Sequence, residues 1–319
     1  MSQPVNTKHI KNTTWYRQGG AISLFYVLGP YSCINETIGF DGCILCQEGE
    51  VNTAFFDRKR EEKKARWVLE QQIKNRKFID SWIQDWEKKV RTLLNYCNSI
   101  FQTPINKWSD KKLVVFLNKF QKLTVIHWKK GVLLEWTDPD GLFLLHELIK
   151  RYNVDLSEEE INILISPEKL TFNQSEFIDR IKLVEQKLRG QDIGSLLVKH
   201  TKKYFWHQNT WAYVYNCDEQ YFAKKITADV ENIDKYRQEV KNTKKYLADI
   251  KLKKAKILKN KKVPTELKNV FYMFTKMVDW RDYRKKMSVC LPNYFLYKII
   301  ERLMKENGIK YSEFVIGGG

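Results

Sequence analysis

The chain has 319 residues, of which 43% are hydrophobic and 13% aromatic, and it carries a formal net charge of +18 at pH 7. This much apolar material excludes an intrinsically disordered chain and suffices for one large or two modest cores. No run approaches the roughly 18 uncharged apolar residues of a membrane-spanning helix, and the N-terminus lacks the apolar segment of a secretory signal. We therefore expect a folded cytoplasmic protein that does not engage a membrane.

Residues 1–56 are predicted to be irregular, with one β-hairpin that extends to about residue 57. An apolar run begins at Cys43, a turn centres on Gly49, and a second apolar run covers Val51 to Phe56. Two such runs joined by a glycine-containing turn are typical of antiparallel strands. We expect this hairpin to be the only sheet.

The cysteines are too few and too scattered for a disulfide framework. They are Cys33, Cys43, Cys46, Cys97, Cys217 and Cys290. Cys43 and Cys46 form a single CxxC, whereas a structural zinc site pairs two such motifs or adds two histidines. A zinc site here would need Cys33 or a distant histidine, so the pattern favours small hydrophobic thiols beside the hairpin and no metal.

Residues 57–198 are predicted to form a helical domain, because apolar residues recur there at intervals of three and four. Asp57 is a plausible N-cap, and Ser157 followed by Glu160 predicts a second capped helix start. The predicted helices run from Asp57 to Asn75, Phe78 to Cys97, Ser109 towards Trp128, Leu142 to Lys150, Ser157 to Ser166 and Ser175 to Arg189.

Residues 199–319 are predicted to form a second helical domain that packs on the first and contains a long helical hairpin. Two apolar series recur every seven residues, which predicts a narrow apolar seam along one long helix. They are Ile226, Ile233, Val240 and Leu247, and Tyr236, Thr243, Ile250 and Ile257. Pro264 ends this helix, and the short connection to the next one predicts antiparallel packing or a coiled-coil arm. A last helix is predicted from Tyr294 to about Asn307, ended by Gly308 as a left-handed cap. The fold class is thus mainly α, a multi-helix bundle.

Positive charge is concentrated in the predicted hairpin. Residues 221–290 contain 20 Lys and Arg against 8 Asp and Glu, a surplus of 12 out of the net +18. Such a field attracts nucleic acid or phosphorylated ligands, and it is also typical of solvated helix faces. Arg281, Arg284 and Lys285 share a predicted helical face and are the candidate anion- or partner-binding residues. Asp279 and Asp282 offer the alternative of a structural ion-pair network, which the sequence favours.

No complete catalytic motif occurs, since the sequence lacks a GxxxxGK[ST] loop, a GxSxG elbow and an HExxH helix. His200 and His207 lie seven residues apart and suggest either a metal or proton-transfer pair or an aromatic core corner. The aromatic residues of that corner would be Tyr204, Phe205, Trp206 and Trp211. The second interpretation is favoured because no carboxylate lies at metal-ligand spacing. We predict no catalytic residue, no metal and no cofactor within this chain.

Three segments resemble the helical region of phosphoenolpyruvate (PEP) synthase-like proteins, the PEP-utilising enzymes. They are HTKKYFW at 200–206, YFAKKI at 221–226 and WRDYRK at 280–285, with the lysine-rich hairpin between the last two. In that family an ATP-grasp domain and a mobile phosphohistidine domain carry the chemistry, with ATP and Mg²⁺. Neither domain's motifs occur here, so the resemblance transfers no catalytic residue.

The resemblance implies a helical scaffold that positions a swivelling phosphohistidine domain or subunit of a phosphotransferase. Because the chain stops at Gly319, we expect a fragment, a truncated gene product or a split subunit. Two alternatives remain: a basic helical nucleic-acid-binding protein, and a coiled-coil interaction module that self-associates through Ile233, Val240 and Leu247.

Overall fold

The computed structural model describes residues 13–20, 43–48, 51–137, 141–210 and 214–309. The fold is mainly α, as predicted, with a small sheet near the N-terminus. The strands are β1 (Trp15–Gly20), β2 (Cys43–Glu48) and β3 (Val51–Asp57). The first helices are α1 (Arg58–Lys74), α2 (Phe78–Ile100), α3 (Asp110–Gly131), α4 (Leu133–Thr137), α5 (Gly141–Arg151) and α6 (Glu158–Ile165). The later ones are α7 (Phe172–Leu188), α8 (Gly194–Tyr204), α9 (Glu219–Val230), α10 (Ile233–Asn260), α11 (Thr265–Lys285) and α12 (Leu291–Asn307).

The predicted hairpin is present, and a third strand extends it. β2 and β3 pair antiparallel, with Cys43 opposite Phe56. The turn predicted at Gly49 lies outside the described residues, as does Cys33. β1 pairs antiparallel with the other edge of β3, so the strand order is β1-β3-β2. We predicted two strands and did not predict β1, because Gly19 and Gly20 weaken the strand pattern of that segment.

The chain divides into two compact units, and the division differs from the predicted boundary at residue 198. Among the described residues, unit 1 comprises 13–20, 43–48, 51–78, 84–137, 141–147 and 301–309, and unit 2 comprises 79–83, 148–210 and 214–300. In unit 2, α7 contacts α8, α9 and α10. Residues on both sides of the predicted boundary therefore share one core.

Unit 1 is built on large apolar side chains. Trp86 and Leu93 of α2 and Phe116 and Phe120 of α3 are almost completely buried. The carboxylate of Asp57 accepts the backbone N–H groups of the first turn of α1, which confirms the predicted N-cap. The sheet thus leads directly into α1, which packs against β3 and α4.

Unit 2 resolves the predicted long seam helix into two helices. α9 ends at Val230 and α10 begins at Ile233. Asn232 lies at this junction, and its short polar side chain favours a helix boundary over a helix interior. The seam positions Ile233 and Val240 pack against a buried cluster that includes Ile181 and Val184 of α7.

The two helices of the predicted hairpin, α10 and α11, are joined by residues 261–264. α6 contacts both of them. The N-terminal seam of α10 packs against α7. Among the described helices, none is both long and apolar enough to cross a membrane.

A π-helical turn, Lys286–Cys290, joins α11 to α12. The N–H of Leu291 bonds to the carbonyl of Lys286, five residues earlier. Pro292 follows at once; it has no N–H, and its ring would clash with a carbonyl four residues earlier in a regular helix. The wider turn fits the proline without ending the helical path.

Candidate functional site

The structure separates the three basic residues predicted as an anion- or partner-binding site. Arg281 and Lys285 occupy exposed positions of α11, whereas Arg284 is only 6% exposed. Arg284 lies three positions after Arg281 and one before Lys285. At that position on the helix its side chain enters the core. Arg281 and Lys285 are thus the two of the three that reach solvent.

Asp279 and Asp282 fasten α11 to the segment that leads into α7. The carboxylate of Asp279 accepts the backbone N–H groups of Glu168 and Lys169, at 2.8 and 3.0 Å. Asp282 accepts the N–H of Phe172, the first residue of α7, at 2.7 Å. Free N–H groups at a helix start favour a carboxylate. These acids therefore bind backbone amides of another segment. The ion-pair network with the neighbouring arginines stays a prediction.

Lys254 of α10 is a buried cation with three oxygen neighbours. Its ammonium donates to the Ser166 carbonyl and the Thr275 hydroxyl, both at 2.6 Å, and lies 3.0 Å from a Glu168 carboxylate oxygen. Burial lowers the pKa of Lys254, and the Glu168 charge opposes this effect. The contacts of the Lys254 ammonium join α10 to α11 and to the segment after α6.

His200 and His207 lie in one buried aromatic cluster, although not on one helix, because α8 ends at Tyr204. Their rings lie 4.7 and 5.5 Å from the ring of Phe222. His207 Nδ1 lies 3.0 Å from the Tyr204 carbonyl oxygen. Burial lowers the pKa of His207 to about 4, so this ring is neutral at pH 7. The geometry agrees with the aromatic-core interpretation; Trp211, predicted to join it, lies outside the described residues.

A buried ionic network links α7, α8 and α9. Arg180 Nε donates to Glu176 at 2.8 Å, and Arg180 also pairs with Asp229. His200 Nε2 lies 3.3 Å from the same Glu176 carboxylate. Burial acts to raise the pKa of Glu176, but the His200 hydrogen bond and the Arg180 charge outweigh it, so the pKa is lowered. Because all four side chains are buried, the network holds helices together and does not face a substrate.

The described residues contain no group of three or more His, Cys, Asp or Glu side chains placed to hold a metal ion. The buried thiols Cys217 and Cys290 also belong to cores, and burial raises the pKa of the Cys290 thiol to about 11. A thiol with that pKa is protonated and unreactive at neutral pH.

Within the described residues, a groove of about 300 Å³ lies between α7 and α10, and we call it the basic groove. Its floor is aliphatic and its rim is charged. The lining residues are Ile178, Ile181, Lys182, Glu185, Arg237, Val240, Lys241 and Lys244. The charge surplus of α10 could be read from the sequence, but the groove could not, because it needs the contact between α7 and α10.

Acidic neighbours neutralise only part of this rim. Arg237 pairs with Asp234 at 2.9 Å and lies 3.3 Å from Glu185. Lys182 pairs with Asp179 at 2.8 Å. Within the part of the chain that the structure describes, Lys241 and Lys244 form no ion pair, and both are exposed. Their ammonium groups are therefore available to an anion.

Comparison of the chain with protein-family models, with curated proteins and with solved structures gave no match.

Proposed function

We propose that this chain is the helical scaffold portion of a PEP synthase-like phosphotransferase and that it positions a swivelling phosphohistidine domain. The observation that supports this is where the segments of resemblance lie: all three contribute buried side chains to unit 2. Tyr204 and Phe222 form one cluster with Cys217. Trp280 is 3% exposed. These residues act as framework, which suits a supporting role better than a reaction site.

The buried polar contacts of unit 2 favour the same function. Lys254, Asp279 and Asp282 tie α10 and α11 to the chain around α6 and α7. A part that holds a moving domain must itself keep its geometry, and satisfied buried polar contacts specify one arrangement of helices. The proposal assigns no phosphoryl transfer to this chain; ATP and Mg²⁺ would act on the domains that it positions.

Phosphorylation of a purified PEP synthase phosphohistidine domain with ³²P tests this assignment. The labelled domain is mixed with this chain, passed over a size-exclusion column and assayed for acid-labile label. We expect the two proteins to elute together with the label retained on the phosphohistidine domain. Label on this chain, at His200 or His207, would contradict a purely supporting role, and separate elution would contradict the proposal.

A second candidate, a nucleic-acid-binding protein, is favoured by the composition of α10. This helix carries ten Lys and Arg against three Asp and Glu, and nine of the ten cations are exposed. Binding through phosphates weakens as salt rises, with a linear fall of log affinity against log salt concentration. Fluorescence anisotropy with a fluorescein-labelled dT20 oligonucleotide should show this dependence, and an unchanged anisotropy at low salt removes the candidate.

A further inference from the structure

Cations recur along one exposed face of α10. Arg237, Lys241, Lys244, Lys251 and Lys259 follow one another at intervals of four, three, seven and eight residues. At 3.6 residues per turn these intervals keep all five within about 40° of one direction. The row extends for about 33 Å at 1.5 Å per residue. All five positions are exposed. The row therefore presents a line of charge and not a point.

The basic groove lies at the N-terminal part of this row, where Lys182 of α7 adds a cation from the opposite wall. Its floor offers little to an apolar ligand, because Ile178 and Ile181 are only 5% and 3% exposed. None of its lining residues is aromatic. Stacked bases would need aromatic rings, so the groove suits the charged backbone of a polyanion better than its bases.

We infer that the basic groove and the row of cations on α10 bind the phosphodiester backbone of a nucleic acid without reading its sequence. This inference rests on the second candidate function and locates it. Lys241 and Lys244 are the centre of the proposed binding site, since Arg237 and Lys182 already form ion pairs with acidic side chains. Ammonium groups neutralise phosphates as point charges and release condensed counterions. The oligonucleotide backbone follows the axis of α10.

The test compares two double variants of the whole chain that make the same charge change on the same helix. Lys241→Gln with Lys244→Gln removes the centre of the groove. Lys235→Gln with Lys253→Gln removes two exposed cations from the opposite face of α10. Anisotropy titrations with fluorescein-labelled dT20 are run at several salt concentrations, and circular dichroism confirms that each variant is folded.

For the groove variant we expect weaker binding and a salt dependence reduced by about 1.4 in slope, since each phosphate contact contributes about 0.7 for a single strand. The opposite-face variant should retain the slope of the unaltered chain. If both variants lose the same affinity and the same slope, the binding is a general property of the basic surface. The groove inference then fails, but the nucleic-acid function stands. If the unaltered chain does not bind dT20, the nucleic-acid function fails with it.

A labelled 20-residue polyglutamate provides the second probe. The inference predicts that polyglutamate binds more weakly than dT20 and that the groove variant changes its binding less. Tighter binding of polyglutamate, lost in the groove variant, would assign the site to an acidic polypeptide and overturn the inference.

Discussion

The ammonium of Lys254 lies 2.6 Å from the hydroxyl oxygen of Thr275, and that hydroxyl lies 3.0 Å from the carbonyl oxygen of Leu164. The three residues belong to α10, α11 and α6. The Thr275 hydroxyl accepts from the ammonium and donates to the carbonyl. A single buried hydroxyl therefore connects three helices of unit 2.

Lys254→Met and Thr275→Val should each lower the free energy of unfolding by about 1–3 kcal/mol, because each leaves a buried polar partner without its hydrogen bond. The two changes act on one network, so their effects should not add; we expect a coupling of about 0.5–3 kcal/mol. Denaturant unfolding of the two single variants and the double variant measures it. Strict additivity would show that the contact has no energetic role.

Asp279→Asn should destabilise the chain by about 1.5–3 kcal/mol, because the carboxylate of Asp279 accepts two backbone N–H groups in a charge-assisted arrangement. Lys285→Gln is the matched control: it alters an exposed charge on the same helix and should change stability by no more than about 0.5 kcal/mol. Equal effects of the two variants in denaturant unfolding would contradict the tie between α11 and the segment that leads into α7.

Acidification should destabilise the chain through His207. Its pKa is about 4 in the folded chain and about 6.5 when unfolded, so the unfolded state holds more protons between these values. The stabilising contribution is complete above pH 6.5 and is lost as the pH falls towards 4. We expect a loss of about 2 kcal/mol between pH 7 and pH 5 from this group. His207→Gln should remove that part of the pH dependence in denaturant titrations; an unchanged slope would show that the ring is not buried neutral.

Arg180→Met should cost about 3–5 kcal/mol, because it leaves Glu176 and Asp229 buried without their shared cation. Lys182→Met, two residues further along α7 in an exposed pair with Asp179, should cost no more than about 1 kcal/mol. Thermal and denaturant unfolding compare the two. A small effect at Arg180 would mean that water reaches the network.

Sequence patterns predicted those features that depend on neighbours along the chain. Ser157 accepts the N–H of Glu160, and the Glu160 side chain accepts the N–H of Ser157, as the capping pattern indicated. α12 ends at Asn307, and Gly308 follows with φ of 67°, a conformation that favours glycine. Caps and apolar periods are local, so a single sequence carries them.

Features that depend on contacts between distant segments were not predictable in this way. Asp282 and Phe172 are about 110 residues apart along the chain, and no pattern in either segment indicates the hydrogen bond. Periodicity placed Arg281, Arg284 and Lys285 on one face, but it could not tell which part of that face the neighbouring helices cover. The basic groove likewise arises only where α7 meets α10.

Isothermal titration calorimetry of this chain with a purified PEP synthase phosphohistidine domain tests the scaffold assignment most directly. If the chain positions this domain, we expect a saturable heat of binding with one domain per chain. Absence of any heat of binding, with the phosphorylated and the unphosphorylated domain alike, would contradict it.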